Sequence, residues 1–242
     1  MALNYSFKPS LRSVLLLALL IPLFLGLGSW QLRRAEEKAA LNALREARVQ
    51  ESPMELDTST PDSIEELRYR PIFADGEYDV SHQFLVDNQI KGQQAGYHVL
   101  TPFRLAGSGQ AVLVNRGWVP LGSGRNVLPD ISQAPKGKIR ISGLPDRLHR
   151  VGFRLQGAEI PAEGWPSVVQ LPEPGPLAQR LGYSLLSYQV LLSPGVEGGY
   201  ARDWQASKLD PEKNRGYALQ WFLFAAIALM IFFWQGLHLL PR

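Results

Sequence analysis

The chain has 242 residues, 45% of them apolar and 19% charged, with 22 Gly, 18 Pro and no Cys. That length and apolar fraction suit one domain with a real core and exclude disorder along the whole chain. The missing thiols exclude a disulfide scaffold, a Cys nucleophile and any Cys-ligated zinc, haem or iron–sulfur centre. The net charge of +3 comes from the ends: Lys8, Arg12 and Arg242 lie outside residues 33–215, where 22 basic side chains meet 22 acidic ones. A neutral middle is poor ground for a nucleic-acid binder, which needs a basic face.

Two uncharged apolar runs bracket the chain. Ser13–Leu32 holds 20 residues dominated by Leu, roughly 30 Å as a helix and so about one hydrocarbon core. The second, Gly216–Pro241, has an apolar centre at Phe222–Trp234, too long and too uniform for an amphipathic surface helix. Trp30, Tyr217, Trp221 and Trp234 fall near the run ends, as in an aromatic belt. A cleaved leader is a competing reading of the first run, with Lys8 and Arg12 as its basic region, but Gly28-Ser29-Trp30 is a poor small-x-small cleavage site. A buried helix is a competing reading of either run. The expected division is a tail at 1–12, a first span at 13–32, a helical extension at 33–51, an extramembrane β-rich domain at 52–215 and a second span at 216–240. Two spans put both termini on one side of a membrane and the domain on the other. Arg33, Arg34, Lys38, Arg45 and Arg48 after the first span favour a cytoplasmic domain on a naive charge count. Long loops can translocate regardless of charge, so the orientation stays open.

Residues 33–49 are rich in Ala, Leu, Glu and Arg and read as a continuation of the first helix. Ala40, Leu41, Leu44 and Ala47 recur at helical spacing, which predicts a stripe packed on the domain. Residues 52–61 read as a linker, and Asp62-Ser63-Ile64-Glu65-Glu66 as the capped start of a short helix. From Leu67 the period changes to two. Strands are predicted at 68–79, 83–89, 97–105, 110–119 and 138–144, with two more at 168–171 and 187–192 around a short helix at 176–182. Gly92-Gln93-Gln94, Gly107-Ser108-Gly109 and Gly122-Ser123-Gly124 are turn signals. Short loops between successive strands predict antiparallel neighbours. The fold class is therefore α+β: two transmembrane helices flanking an antiparallel, barrel-like extramembrane domain.

Catalytic machinery is thin. His82, His98, His149 and His238 show no paired metal-ligand spacing, and there is no nucleophile elbow, P-loop or dinucleotide fingerprint. Asp75 and Glu77 share a strand face and read as solvated acids. The informative residues gather where the runs end: Trp30, Gln31, Arg33 and Arg34 on the first, and Asn214, Arg215, Tyr217, Gln220 and Trp221 on the second. Spacings of three and four put Asn214, Tyr217 and Trp221 on one helix face. Two readings fit: ordinary interfacial anchors, or a site for a flat apolar ligand with negative groups, its ring stacked on the aromatics and its carboxylates paired with Arg33, Arg34 or Arg215. Within the domain, Asn115-Arg116-Gly117-Trp118-Val119-Pro120 ends the most apolar strand. It suits a special turn, an internal salt bridge or a partner-binding edge formed by Arg116 and Trp118.

Five segments in order then carry a resemblance: Gly28-Ser29-Trp30-Gln31-Leu32-Arg33-Arg34, Gly76-Glu77-Tyr78, residues 96–103 (GYHVLTPF), residues 114–120 (VNRGWVP) and Tyr217-Ala218-Leu219-Gln220-Trp221. In these the chain resembles the Surf1/Shy1 family of cytochrome c oxidase assembly factors over nearly its whole length. The resemblance implies a membrane protein of the bacterial inner membrane, or its mitochondrial equivalent, with its domain facing the periplasm or intermembrane space, and a chaperone in respiratory-chain biogenesis rather than an enzyme; the short stretch before Ser13 favours the bacterial case, a multi-pass protein with its main domain in the periplasm. It implies work on oxidase subunit I with transient binding of haem a, haem a synthase as a further partner, and contact with membrane lipids. The haem-handling residues would be Trp30, Arg33, Arg34, Arg215, Tyr217 and Trp221, and no resident metal is implied. Where family members carry a haem-linked His, three residues before the Tyr of the second span, this chain has Asn214. An amide cannot replace an imidazole as an ordinary axial ligand. A scaffold that clamps the oxidase without touching haem is the first rival reading, and a membrane-anchored enzyme the second.

Overall fold

The computed structural model describes residues 5–57, 59–122, 124, 127–149, 156–204 and 209–239. In chain order its elements are β1 (Tyr5–Phe7), α1 (Leu11–Val49), β2 (Met54–Glu55), α2 (Ile64–Leu67), β3 (Ile72–Tyr78), β4 (Phe84–Lys91), β5 (Gln94–Leu105), β6 (Gln110–Pro120), β7 (Ile139–Asp146), β8 (Ser167–Val169), α3 (Pro174–Leu181), β9 (Ser184–Leu192), α4 (Pro211–Gly236) and β10 (Leu237–Leu239). They form two compact units, Met1–Leu44 with Ser207–Arg242, and Arg45–Ala206.

The first unit is a helix pair with strands beyond it. Both α1 and α4 are long and apolar enough to cross a membrane. The 39 residues of α1 run through the apolar segment and its charged extension without a break, past Pro22. The helices meet over small residues: Gly28, Ala35, Ala218 and Ala225 are buried, and a Cβ on Gly28 would strike the Phe222 ring. Small side chains allow such an approach where lipid removes the hydrophobic incentive to associate. Asp210 caps α4 by accepting from the Lys213 N–H at 3.2 Å, with Pro211 following at the first helical position. At the opposite end of the pair, β1 runs antiparallel to β10, and Phe7 packs its ring against Phe232 and Phe233.

The predicted stripe on the extension is corrected. Ala40, Leu44 and Ala47 are exposed, and the occupied face of α1 carries Ala35, Lys38 and Asn42 instead. Lys38 Nζ donates to Asn214 Oδ1 at 2.7 Å and Asn42 Nδ2 to the Leu209 carbonyl at 2.8 Å. Interhelical hydrogen bonds, rather than an apolar seam, continue the pair beyond the apolar segments.

In the second unit, alternation along β3, β5, β6, β7 and β9 builds a closed five-stranded barrel. β3 pairs with β7, β7 with β9, β9 with β6, β6 with β5, and β5 returns to β3 through Gly76↔Leu105, Glu77↔Arg104 and Tyr78↔Phe103. The expected barrel between two apolar helices is borne out, and its sheet is mixed. β9 lies parallel to β6, β2 parallel to β3 and β8 parallel to β4. The short-loop argument covers only strands adjacent in sequence, whereas β6 and β9 are joined by a long crossover. Residues 52–61, expected as a linker, contain β2 on the barrel edge. Ser63 precedes α2 without a side-chain cap, and the Asp62 carboxylate instead accepts from the Ser187 N–H at 2.7 Å. Of the turn signals, Ser123 lies outside the described residues.

Inside the barrel, Ile72, Tyr78, Phe103, Val112, Val114, Ile141, Tyr188 and Leu192 form the main core. Full burial of one such side chain stabilises by about 1.5–3 kcal/mol. Outside it, α3 sets Leu177 over Phe84, Val86, Leu100 and Leu113, and Leu85, Tyr97, Val99 and Val119 form a third cluster. Gly76 explains itself at the closure. It pairs with both Ile139 and Leu105, and a Cβ there would collide with the Arg104 carbonyl oxygen. Gly76→Ala is expected to lower stability by about 2–4 kcal/mol, read as a fall in the thermal midpoint of the purified full chain; an unchanged midpoint would mean that the closure gives way without cost.

Candidate functional site

At the inner end of α4 the polar residues are bonded to one another. Asn214 Nδ2 donates to Gln31 Oε1 at 2.6 Å while its Oδ1 accepts from Lys38. The amide therefore joins two turns of α1 to α4 through both of its polar atoms. Gln31, Lys38 and Asn42 lie seven and four residues apart on one helix face, a polar periodicity that sequence reasoning missed by searching only for apolar stripes.

The six predicted ligand residues divide around this bridge. Trp30 and Tyr217 are about half exposed, at 48% and 44%. Trp221 is committed: its ring stacks on Phe24 with centroids 5.9 Å apart and planes inclined by 27°. Asn214 and Trp221 are part-buried whereas Tyr217 is exposed, so the three do not form a single lining. Arg34 pairs with Glu37 at 2.9 Å and Arg215 with Glu212, each one helical turn away. Arg33 makes no ion pair among the described residues. Exposed intrahelical pairs of this kind are worth only a few tenths of a kcal/mol, so both arginines can exchange partners for another carboxylate. Further along the pair an apolar groove of about 340 Å³ runs between the helices, walled by Leu17, Leu20, Phe24, Phe224 and Phe232.

Arg116, expected on a partner-binding edge, does not reach the surface of the chain. It is fully buried at one end of the barrel interior. Nε donates to the Gly198 carbonyl at 2.6 Å, Nη1 to Gln83 Oε1 at 2.9 Å and Thr101 Oγ1 at 3.3 Å, and Nη2 to the Gln133 carbonyl at 2.6 Å. The rings of Tyr78 and Tyr200 flank it, 5.6 and 5.0 Å from the guanidinium carbon. Desolvation lowers its pKa, yet a guanidinium so bonded keeps its charge. The special turn is present next door: between His98↔Trp118 and Leu100↔Asn115, Arg116 and Gly117 together oppose Val99, and Gly117 adopts φ +116°. Trp118 is half-buried, its indole N–H donating to the Gln89 carbonyl at 3.0 Å. Its backbone pairs with Ala201.

Two further polar centres went unnoticed in the sequence because their members are distant along the chain. Asp79 accepts from His82 Nδ1 at 2.8 Å, Tyr183 Oη at 2.9 Å and Arg104 Nη2 at 3.0 Å. Burial works to raise its pKa, but these bonds outweigh it and hold the carboxyl below the ordinary range. On the outer barrel wall, His98 stands against Asn115, and burial, then the charges of His149 and Lys91, push its pKa down to about 4. Asp75 is an exposed acid as expected, paired in two-pronged fashion with Arg140 at 2.8 and 2.6 Å. The described part of His238 is limited to its backbone, which pairs with Ser6 in β1–β10.

Comparison with known proteins decides the family. A profile described as the SURF1 family matches residues 18–226. The chain belongs to the SURF1 family. Among curated relatives, "Cytochrome oxidase assembly protein SHY1" of Saccharomyces cerevisiae is 35% identical over 43% of this chain and 26% of its own length. "Surfeit locus protein 1" of Xenopus tropicalis is 37% identical over 51% of this chain and 43% of its own. The Homo sapiens protein of the same name is 35% identical over 50% and 44%. The matched stretches thus span less than half of these relatives. The residues of the SURF1 resemblance take on structural sense: Gly76 at the barrel closure, Arg116 and Gly117 in the bulge, and Gly28 at the helix contact.

Two outcomes are expected. Arg116→Met, which strands the Gly198 and Gln133 carbonyls and leaves Gln83 and Thr101 only each other, should cost about 3–5 kcal/mol, read from denaturant midpoints, with Arg116→Lys recovering little of it. His98 is neutral when folded and titrates near pH 6.5 when unfolded, so its contribution is intact above pH 6.5 and is lost as pH falls toward 4. The loss is on the order of 3 kcal/mol; His98→Gln should flatten the decline of melting temperature over that window relative to the wild type.

Proposed function

We propose that this chain is a membrane-anchored assembly factor for haem–copper cytochrome c oxidase, acting on subunit I and handling haem a where its two spans end. Its place would be the bacterial inner membrane, with the barrel in the periplasm and lipids around α1 and α4. Membership of the SURF1 family carries the reading, together with one relative's printed role: the yeast protein is named for cytochrome oxidase assembly. Haem a synthase is the natural source of the ligand and hence a second proposed partner.

The boundary residues fit the rim of haem a better than its iron. Trp30 and Tyr217 are half exposed and can meet the ring edge, and Arg33, Arg34 and Arg215 can receive propionates, the last two by releasing their intrahelical glutamates. Trp221 lends its far face only, and the groove beneath it offers hydrocarbon surface. Asn214 has both amide atoms engaged and supplies no axial ligand. When held, haem a would bring its redox chemistry to the oxidase; this chain's part is to shelter the ring from water and neutralise its carboxylates.

Arg33→Ala with Arg34→Ala is expected to lower haem a in assembled oxidase several-fold at unchanged protein level, measured as extracted haem a per subunit I. Full haem content would remove the arginines from the reading. The bridged Asn214 favours one rival, a scaffold that holds subunit I alone. Capture of subunit I by a chain purified beside active haem a synthesis, with no haem a extracted from it, would establish that scaffold instead.

A further inference from the structure

Beyond the edge of α3, the outer barrel wall turns polar and sinks into a cavity of about 250 Å³. Its floor is a pair of almost wholly buried amides on neighbouring parallel strands, Asn115 of β6 and Gln189 of β9. Asn115 Nδ2 donates to Gln189 Oε1 at 3.1 Å, Gln189 Nε2 to the Arg147 carbonyl at 2.9 Å, and Asn115 Oδ1 accepts from the Gly117 N–H at 3.2 Å. One wall is His98, whose Nδ1 lies 3.5 Å from Asn115 Nδ2. Assigned from that contact, Nδ1 is the acceptor and the ring is neutral. Trp204 stands edge to face with His98, centroids 5.9 Å apart, and is fixed by an indole N–H bond to the Leu192 carbonyl at 2.6 Å.

The lining selects by charge and size. Asp146 and Asp203 bring two carboxylates to the lining; burial raises the Asp146 pKa against the opposing effects of the Arg147 backbone N–H and the Arg68 and Arg147 charges, whereas Asp203 is exposed. Arg147 also borders the cavity, but its guanidinium is paired with Glu65. His149 stands at the rim, and Leu100, Leu191 and Pro172 supply apolar surface for a hydrocarbon stem. A volume near 250 Å³ lies below the range of about 300–1,000 Å³ usual for drug-sized ligands, so the cavity suits one side chain and excludes a porphyrin. The two amide oxygens already accept from Asn115 and from the Gly117 N–H, so the two carboxylates and the indole define the ligand: a donor-rich planar cation, which a guanidinium satisfies better than a compact ammonium.

We propose that this cavity is a docking pocket for one arginine side chain of a partner polypeptide. The head would lie along Trp204 and between Asp146 and Asp203, and the stem on Leu100 and Leu191, with the partner's backbone outside the mouth at the exposed Asp203. The pocket stands independently of the haem reading, since no boundary residue contributes to it.

The test uses the full chain in detergent, labelled with 5-fluorotryptophan, whose six tryptophans give separate fluorine resonances; Trp204→Phe assigns one of them. The probe is a blocked Gly-Arg-Gly tripeptide, compared with its citrulline counterpart, which keeps the shape and loses the charge. The Trp204 signal is expected to shift saturably, with half-saturation below about 10 mM, and citrulline to bind about tenfold more weakly, a difference of about 1.4 kcal/mol. Asp146→Asn with Asp203→Asn should produce the same tenfold loss. If the pair of changes disturbs the other five signals, Asp203→Asn alone, at an exposed position, should weaken binding about threefold. No saturable shift, an equal response to citrulline, or an unaffected Asp203→Asn would overturn the proposal.

Discussion

A guanidinium taken out of water keeps its charge, so its N–H groups must find acceptors within the fold. Arg116 finds them in four separate pieces of chain: Gln83 between β3 and β4, Thr101 in β5, Gln133 in the segment after β6, and Gly198 in the segment after β9. None is a carboxylate. The cage is built of neutral dipoles and two tyrosine faces, each weak and each specific in direction. A single point charge could be answered by one acid in many arrangements; four directional acceptors fit only one. The barrel end, the bulge at Gly117 and the return of residues 198–202 along β6 are thereby fixed together.

Alternation and turn residues made most of the barrel readable in advance. The strands at 97–105 and 110–119 fall within β5 and β6, because both faces of each carry a simple apolar pattern bounded by Gly. Parallel pairing of β6 with β9 was not readable, since nothing local in either strand records a partner seventy residues away. The stripe Ala40–Ala47 misled for a related reason: its spacing is helical, but the neighbour that matters meets the polar face of Lys38 and Asn42. Arg116 was visible as unusual and opaque as to role. An Arg–Gly pair in an apolar strand signals that something must bend or be neutralised, and only the fold says that the charge points inward.

The two ends of the spans carry a different logic from the barrel. There the arginines are exposed, their acids lie on their own helices, and their pairings are cheap to exchange. Trp30 and Tyr217 remain about half exposed while the neighbouring amide of Asn214 is bonded at both of its polar atoms. A rigid connection and an adaptable rim thus occupy adjacent turns of the same helices. Under the proposed function such a division would suit release, since it requires no rupture of the bonds that keep the helices together.

The position of β9 constrains how the domain can be made. It is the last barrel strand in the sequence, yet it lies between β7 and β6. Until Leu192 has left the ribosome, β6 and β7 each present an open edge of unpaired N–H and C=O groups, the condition in which strands pair wrongly with other chains. Closure therefore waits on a strand that begins about three-quarters of the way along the chain, and a product truncated anywhere before β9 would carry two exposed edges rather than a smaller barrel. The distant contacts that this strand must find also make for slow folding. A barrel of this build is itself in need of protection during its own synthesis.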